Sequence, residues 1–168
     1  MHTLGVSLAL VSSLVFAVDS PSTAKMPLDF DLSDGRQFVM LSALPPMPTV
    51  VNFWRADCPP CVREMPALAT LAREGKVRVV TIALQKPSET AAAPAAIQTA
   101  LQPPLLSLHG PSEPRGLLAR FSNRVGALPH TVILDAERRA CTQHTGEIND
   151  KWLSKALSAC KPHQKTSS

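Results

Sequence analysis

No tyrosine occurs in the 168 residues, and two tryptophans and five phenylalanines supply all the aromatic surface. A platform for single-stranded nucleic acid needs a row of aromatic faces, so the composition argues against that class. No block of basic residues stands out either. The formal charge of +4 comes from Lys and Arg spread along the chain. It reads as a solvated surface that biases the choice toward acidic partners. No internal repeat is present, which argues against a solenoid or propeller. The N-terminal apolar stretch, residues 4–18, is interrupted only by small residues. It falls short of the roughly 20 residues that span a membrane comfortably.

That stretch nevertheless looks like an address. Val15, Phe16 and Ala17 place small residues at the two positions a signal peptidase reads, so residues 1–17 are expected to be a cleaved export signal and 18–27 a linker. The region ahead of it lacks Lys and Arg, which leaves an uncleaved membrane anchor as the alternative. No cysteine follows the run, so a lipoprotein acceptor is missing. Export implies an oxidising compartment in which disulfides last. The four cysteines then suggest two pairs, Cys58 with Cys61 and Cys141 with Cys160.

Along the rest of the chain, 45% apolar content suits one soluble domain with a full core. "LDFDLSDGRQFVML" alternates around Asp34-Gly35 and predicts a hairpin. "TVVNFW" is a short apolar run that predicts a buried central strand. From Pro59 the period becomes helical, with Val62, Met65, Leu68 and Leu71/Ala72 on one face, a kink expected at Pro66 and a stop at Gly75. Residues 77–84 form another apolar strand. Strand, helix, strand is the pattern of a parallel sheet. Residues 88–104 predict a helix broken near Pro94, followed by a short strand at "LLSLHG" and a helix in "SEPRGLLARFSN". Residues 127–135 predict a strand, turned at 136–139 into its partner "ACTQHTG". A C-terminal helix should bury Trp152, Leu153, Ala156 and Leu157, and residues 161–168 are expected to be a disordered tail.

The chemistry concentrates in "NFWRADCPPCVREMP". Cys58 follows a strand and opens a helix, where free N–H groups and the helix dipole favour a thiolate. Pro59 sits where a missing N–H costs little. Cys61 lies one turn on, close enough to close a small ring. One thiolate attacks a disulfide and the other resolves the mixed disulfide. Structural zinc wants a second paired-ligand motif, whereas the remaining cysteines lie 80 and more residues away and 19 apart. As a staple, so small a ring constrains little chain. A copper-binding or assembly module using the same two thiols stays open.

This segment resembles the active-site stretch of the thioredoxin-like disulfide reductases of the TlpA/ResA/CcmG type, the last also called DsbE-like. The hairpin before "FVMLSAL" looks like that family's N-terminal extension, "RVGALPHTVILDAERR" like its cis-proline loop and strand, and the stretch between Leu84 and Val125 like its central insert. The resemblance spans about residues 27–160. It implies an α/β thioredoxin-like fold over residues 28–160, with a mixed central sheet flanked by helices. Carried over by position, Cys58 is the nucleophile and Cys61 the buried resolving thiol. Glu64 matches the acidic residue that takes up the proton of Cys61, and Asn52 stands where ordinary thioredoxins have a buried Asp. Pro129 is the cis-proline facing the disulfide, with Leu128 offering backbone groups to a client. Trp54 covers the site, and Pro59 and Pro60 lie within the client-contacting motif. His130 is expected to be exposed or hydrogen-bonded, without a role. Two positions depart from the family: Asp57 replaces the usual Trp and opposes a thiolate at Cys58, and Leu128 replaces Thr or a similar residue.

The second cysteine pair permits a geometric test. A strand from Cys141 to Gly146 rises about 17 Å, and a helix from Asn149 to Cys160 returns about 16 Å. Both cysteines then lie at one end, so a structural disulfide is expected. The function implied is thiol–disulfide exchange on exported proteins, in the periplasm or on the outer face of the inner membrane, through the Cys58–Cys61 disulfide and without another cofactor or metal. The resemblance favours reduction of clients such as apocytochrome c or copper-site proteins, with electrons from a membrane thiol donor of the DsbD/CcdA kind. An oxidant or isomerase is the nearer alternative.

Overall fold

The structure, a computed structural model, describes residues 26–160. The expected export signal (1–17), the tail (161–168) and all but the last two residues of the linker lie outside them. The N-terminal hairpin forms as the Asp-Gly pair requires. β1 (Asp31–Ser33) and β2 (Phe38–Met40) pair antiparallel, with Gly35 at φ 94°. The Asp34 carboxylate accepts from Arg36 N–H at 2.7 Å and Gln37 N–H at 2.8 Å and so closes the turn.

β3 (Thr49–Trp54) is the centre of the sheet, and all six of its residues are buried. It pairs in parallel with β4 (Arg78–Ala83) and antiparallel with β6 (His130–Leu134). β5 (Leu106–His109) extends the parallel side, and β7 (Ala140–Thr145) the antiparallel side. The sheet order is β2-β1-β5-β4-β3-β6-β7. The predicted hairpin therefore joins the main sheet, through Ser33 opposite His109.

The two-residue alternation of a strand divides β3 between two cores. Val50 and Trp54 face the layer containing α1 (Pro59–Glu74), α3 (Ala95–Ala100) and α5 (Asp150–Ala159). Val51 and Phe53 face the layer containing α4 (Arg115–Arg120) and Phe121. Each of these large side chains contributes about 1.5–3 kcal/mol by leaving water. Polar Asn52 lies between Val50 and Trp54 in sequence and is equally buried, on the α1 face. A polar group there has to find partners within the protein.

The expected helical break at Pro94 separates α2 (Pro87–Ala91) from α3. Pro66 does not divide α1, which runs unbroken from Pro59 to Gly75 in the left-handed conformation at φ 68°. On α5, Leu153 and Ala156 are buried, while Trp152 and Leu157 are only partly so. Asn149 caps that helix by accepting from Trp152 N–H at 2.9 Å. Cys141 on β7 is joined to Cys160 at the end of α5, with the Cα atoms 5.3 Å apart.

The 19-residue separation of that disulfide predicts a measurable stability contribution. Replacing both Cys141 and Cys160 with Ser should lower the unfolding free energy by about 3 kcal/mol, as loop-closure entropy suggests, read from urea denaturation. An unchanged midpoint would show that α5 is held by packing alone.

Candidate active site

Cys58 caps α1 and Cys61 sits in its first turn; the two are disulfide-bonded, with the Cα atoms 5.3 Å apart. The prolines between them reshape the helix start. An α-helix begins with several N–H groups that lack intrahelical acceptors. Pro59 and Pro60 occupy the first two positions and have none to offer. The first available donor is Cys61 N–H, which lies 3.3 Å from Cys58 Sγ. The double proline thus leaves a single donor and points it at the outer sulfur. Cys58 is partly exposed, whereas Cys61 is fully buried. An incoming thiol or disulfide therefore meets Cys58 first. Pro59 is exposed and Pro60 partly so.

Asp57 does not stand alone beside Cys58. Arg55 grips both its carboxylate oxygens, at 2.8 and 2.9 Å, and a further Arg55 nitrogen donates to Leu84 O at 3.1 Å. The hydrogen bonds from Arg55 hold the Asp57 carboxyl below its usual range. The negative charge expected to oppose a thiolate at Cys58 is thus partnered by Arg55 and not isolated. The loop backbone is pinned as well, by Gln85 Oε1 accepting from Ala56 N–H at 2.5 Å.

Glu64 lies one helical turn beyond Cys61 and is 2% exposed. Asn52 Nδ2 donates to its Oε1 at 2.6 Å and to Thr131 Oγ1 at 3.0 Å, joining α1, β3 and β6 beneath the disulfide. Ile148 N–H donates to the other carboxylate oxygen at 2.9 Å. Burial dominates over these donors and raises the Glu64 pKa from 4.5 to about 7. Asn52 therefore serves as a partner of the acidic group, in the place where an ordinary thioredoxin has the acid itself.

The Leu128–Pro129 peptide is cis, and Pro129 is buried with Leu128 partly exposed beside the same core layer as Cys58. The loop leading to it is held by Asn123, whose amide donates to Ala127 O at 2.8 Å and accepts from Gly126 N–H at 3.0 Å. Trp54 requires a correction. It is 0% exposed and packs in the core with Cys61, so it presents no surface to a client. His130 is buried on the opposite sheet face, its ring nitrogens 2.8 Å from Thr145 Oγ1 and 2.9 Å from Phe121 O. Burial lowers its pKa, consistent with a neutral, structural imidazole. Sequence reasoning missed Arg55, Thr131 and Ile148. For Arg55, the spacing to Asp57 was a local signal. For the others, 79 and 84 residues of intervening chain left none.

The model of one protein family, described as Redoxin, matches residues 21–159. The chain belongs to the Redoxin family. This redoxin is 31% identical over 156 residues to the thiol:disulfide interchange protein DsbE of Allochromatium vinosum, covering 87% of this chain and 83% of that one. It is 26% identical over 119 residues to the thiol-disulfide oxidoreductase ResA of Halalkalibacterium halodurans, covering 67% of this chain and 61% of the relative. A solved thioredoxin-related protein from Neisseria meningitidis serogroup B superposes with a TM-score of 0.60 at 28% identity, covering 75% of this redoxin and 93% of that chain. The fold is thioredoxin-like, and the protein is a thiol:disulfide oxidoreductase of the DsbE/ResA type that carries Cys58 and Cys61.

The raised pKa of Glu64 has a definite sign in stability. Between pH 4.5 and about 7 the folded redoxin holds a proton that the unfolded chain releases. Its contribution is fully present below pH 4.5 and is lost as pH rises through about 7. His130, with its lowered pKa, works in the opposite sense and is common to both proteins compared. Between pH 5 and pH 8 the unfolding free energy from urea denaturation should fall further in the wild type than in Glu64→Gln, by on the order of 3 kcal/mol. Equal falls would place the Glu64 pKa near its ordinary value.

Proposed function

We propose that this redoxin reduces disulfides of exported client proteins, and that Glu64 is the proton acceptor that allows Cys61 to resolve the mixed disulfide. The observation that carries this reading is a buried carboxyl group, one turn from a buried cysteine, titrating near neutral pH. General base work is most efficient when the group's pKa lies near the working pH.

The reaction balances in two exchanges. The Cys58 thiolate attacks a client disulfide, forming a mixed disulfide and releasing one client thiolate, which takes up a proton. Cys61 then gives its proton to Glu64 and attacks Cys58 Sγ. This closes the Cys58–Cys61 bond and expels the second client sulfur as a thiolate, which takes up a proton from solvent while Glu64 returns its own to solvent. Two electrons pass from the protein dithiol to the client, with no cofactor beyond the cysteine pair. The partly exposed Leu128 beside cis-Pro129 is the surface along which the client chain lies, and the exposed Pro59 forms its other wall.

The oxidised redoxin is returned to the dithiol by a membrane thiol donor of the DsbD/CcdA kind. The clients are cysteine-bearing exported proteins such as apocytochrome c or copper-site proteins, and the setting is extracytoplasmic. The kinship to proteins named DsbE and ResA supports this direction of electron flow, and the apolar stretch at residues 4–18 and the second disulfide support the extracytoplasmic setting.

Cys61→Ser should accumulate mixed disulfides through Cys58, visible as reducible adducts on non-reducing gels, while Cys58→Ser should accumulate none. The Cys58–Cys61 reduction potential should be strongly negative, at or below about −270 mV, the thioredoxin value. A potential near about −120 mV, as for a strong oxidant, would reverse the assigned direction. Absence of any adduct together with tight Cu(I) binding would replace the enzyme reading with a metal module.

A further inference from the structure

The turn between β7 and α5 touches three parts of the redox centre with three consecutive residues. Gly146 N–H donates to Pro129 O at 2.8 Å. The Glu147 carboxylate takes the Arg63 guanidinium through contacts of 3.2, 3.0 and 2.6 Å. Ile148 N–H donates to Glu64 Oε2 at 2.9 Å. Gly146 adopts φ 116°, a region nearly closed to other residues. Immediately downstream, the Asn149 cap fixes the turn to the start of α5. The far end of α5 is tied by Cys160 to Cys141.

We propose that residues 146–148 are a positioning strap, locked to α1 by the Arg63–Glu147 ion pair, which holds one backbone donor on Glu64 and another on Pro129. This rests on Glu64 as the proton acceptor of Cys61. The pair itself is partly exposed, at 59% and 40% of the two side chains. Such a pair adds little to global stability. Its geometric consequence is local, because Arg63 and Glu64 are adjacent on α1 while Glu147 and Ile148 are adjacent on the strap. Closing the outer pair brings the inner donor onto the buried carboxylate.

The groups around Glu64 make the effect separable. Cys61 and Arg63 lie on α1, Asn52 comes from β3 and Thr131 from β6, with His144 of β7 in register beside Thr131. Asp150 and Lys151 begin α5, and α3 carries no ionisable residue. Ile148 N–H favours the charged carboxylate, and its influence exceeds that of the Glu147 charge, which favours the neutral acid. A strap and a bare charge therefore predict different signs. Losing the strap raises the pH at which Glu64 ionises, whichever partner is removed. A charge acting alone raises it in Arg63→Ala, lowers it in Glu147→Ala and leaves the double variant close to the wild type.

The test follows the Glu64 carboxyl carbon by NMR through a pH titration of the intact protein. Arg63→Ala, Glu147→Ala and the double variant should all titrate higher, by about half a pH unit or more. Glu147→Asp, which keeps the charge and shortens its reach, should move in the same direction. Arg139→Gln, which breaks the ion pair with Asp135 in the β6–β7 turn, should leave the titration unchanged. A downward move in Glu147→Ala, or no move in any of the four strap variants, overturns the proposal. The pH profile of client reduction should follow the same displacement. If Glu64→Gln leaves that profile unaltered, the proton-acceptor reading fails, while the NMR titration still decides whether the strap positions Glu64.

Discussion

One carboxyl group that cannot reach water organises the centre of this protein. Glu64 is placed by α1 against the middle of the sheet, where a charged oxygen is expensive unless it is hydrogen-bonded. The sheet answers with Asn52, and the β7–α5 turn answers with a backbone N–H. Those two donors are too few to restore the solvation that burial removed, so the group settles near neutral pH. Asn52 in turn requires Thr131, which ties the registers of β3 and β6 to the same point. The demand for satisfied polar groups in a dry interior thus converges on Glu64, Asn52, Thr131 and the Ile148 backbone.

The thiol end of the site is shaped by subtraction. Two prolines strip the start of α1 of donors that would otherwise face solvent, and the remaining N–H is directed at Cys58. The flanking charges are then cancelled pairwise, Arg55 with Asp57 and Arg63 with Glu147. What remains is an accessible sulfur, a buried sulfur and a buried acid arranged along one helix. Leu128, ahead of cis-Pro129, packs against the same core layer as Cys58. Cys58, Cys61 and Glu64 thus lie on one helix and its cap, and this keeps their separations independent of loop motion.

Local pattern carried most of the fold. The Asp-Gly turn, the apolar runs of β3, β4 and β6, the helical period after Pro59 and the break at Pro94 are each written in a handful of neighbouring residues. The same is true of the cysteine pair at a strand-to-helix junction. Trp54 was misplaced because a bulky aromatic beside a motif looks the same whether it faces the core or the solvent. Strand alternation, counted from a register known only in the sheet, decides that. Asp57 was weighed as a lone charge, whereas the cation two residues before it grips both of its carboxylate oxygens. Pro66, where a kink was expected, lies inside α1, which continues past it without a break.

The sequence by itself determined the chemistry available: two thiols at a helix start, an acid one turn further, and a proline ahead of a strand. Those depend on spacings of a few residues and on the fixed geometry of a helical turn. Only the tertiary structure decided how the chemistry is tuned. The depth at which Glu64 is buried, the Asn52–Thr131 link and the strap from Gly146 to Ile148 all join residues that are far apart in the chain. Desolvation and hydrogen bonding act through space, and no local pattern records which distant backbone group will arrive to meet a buried carboxylate.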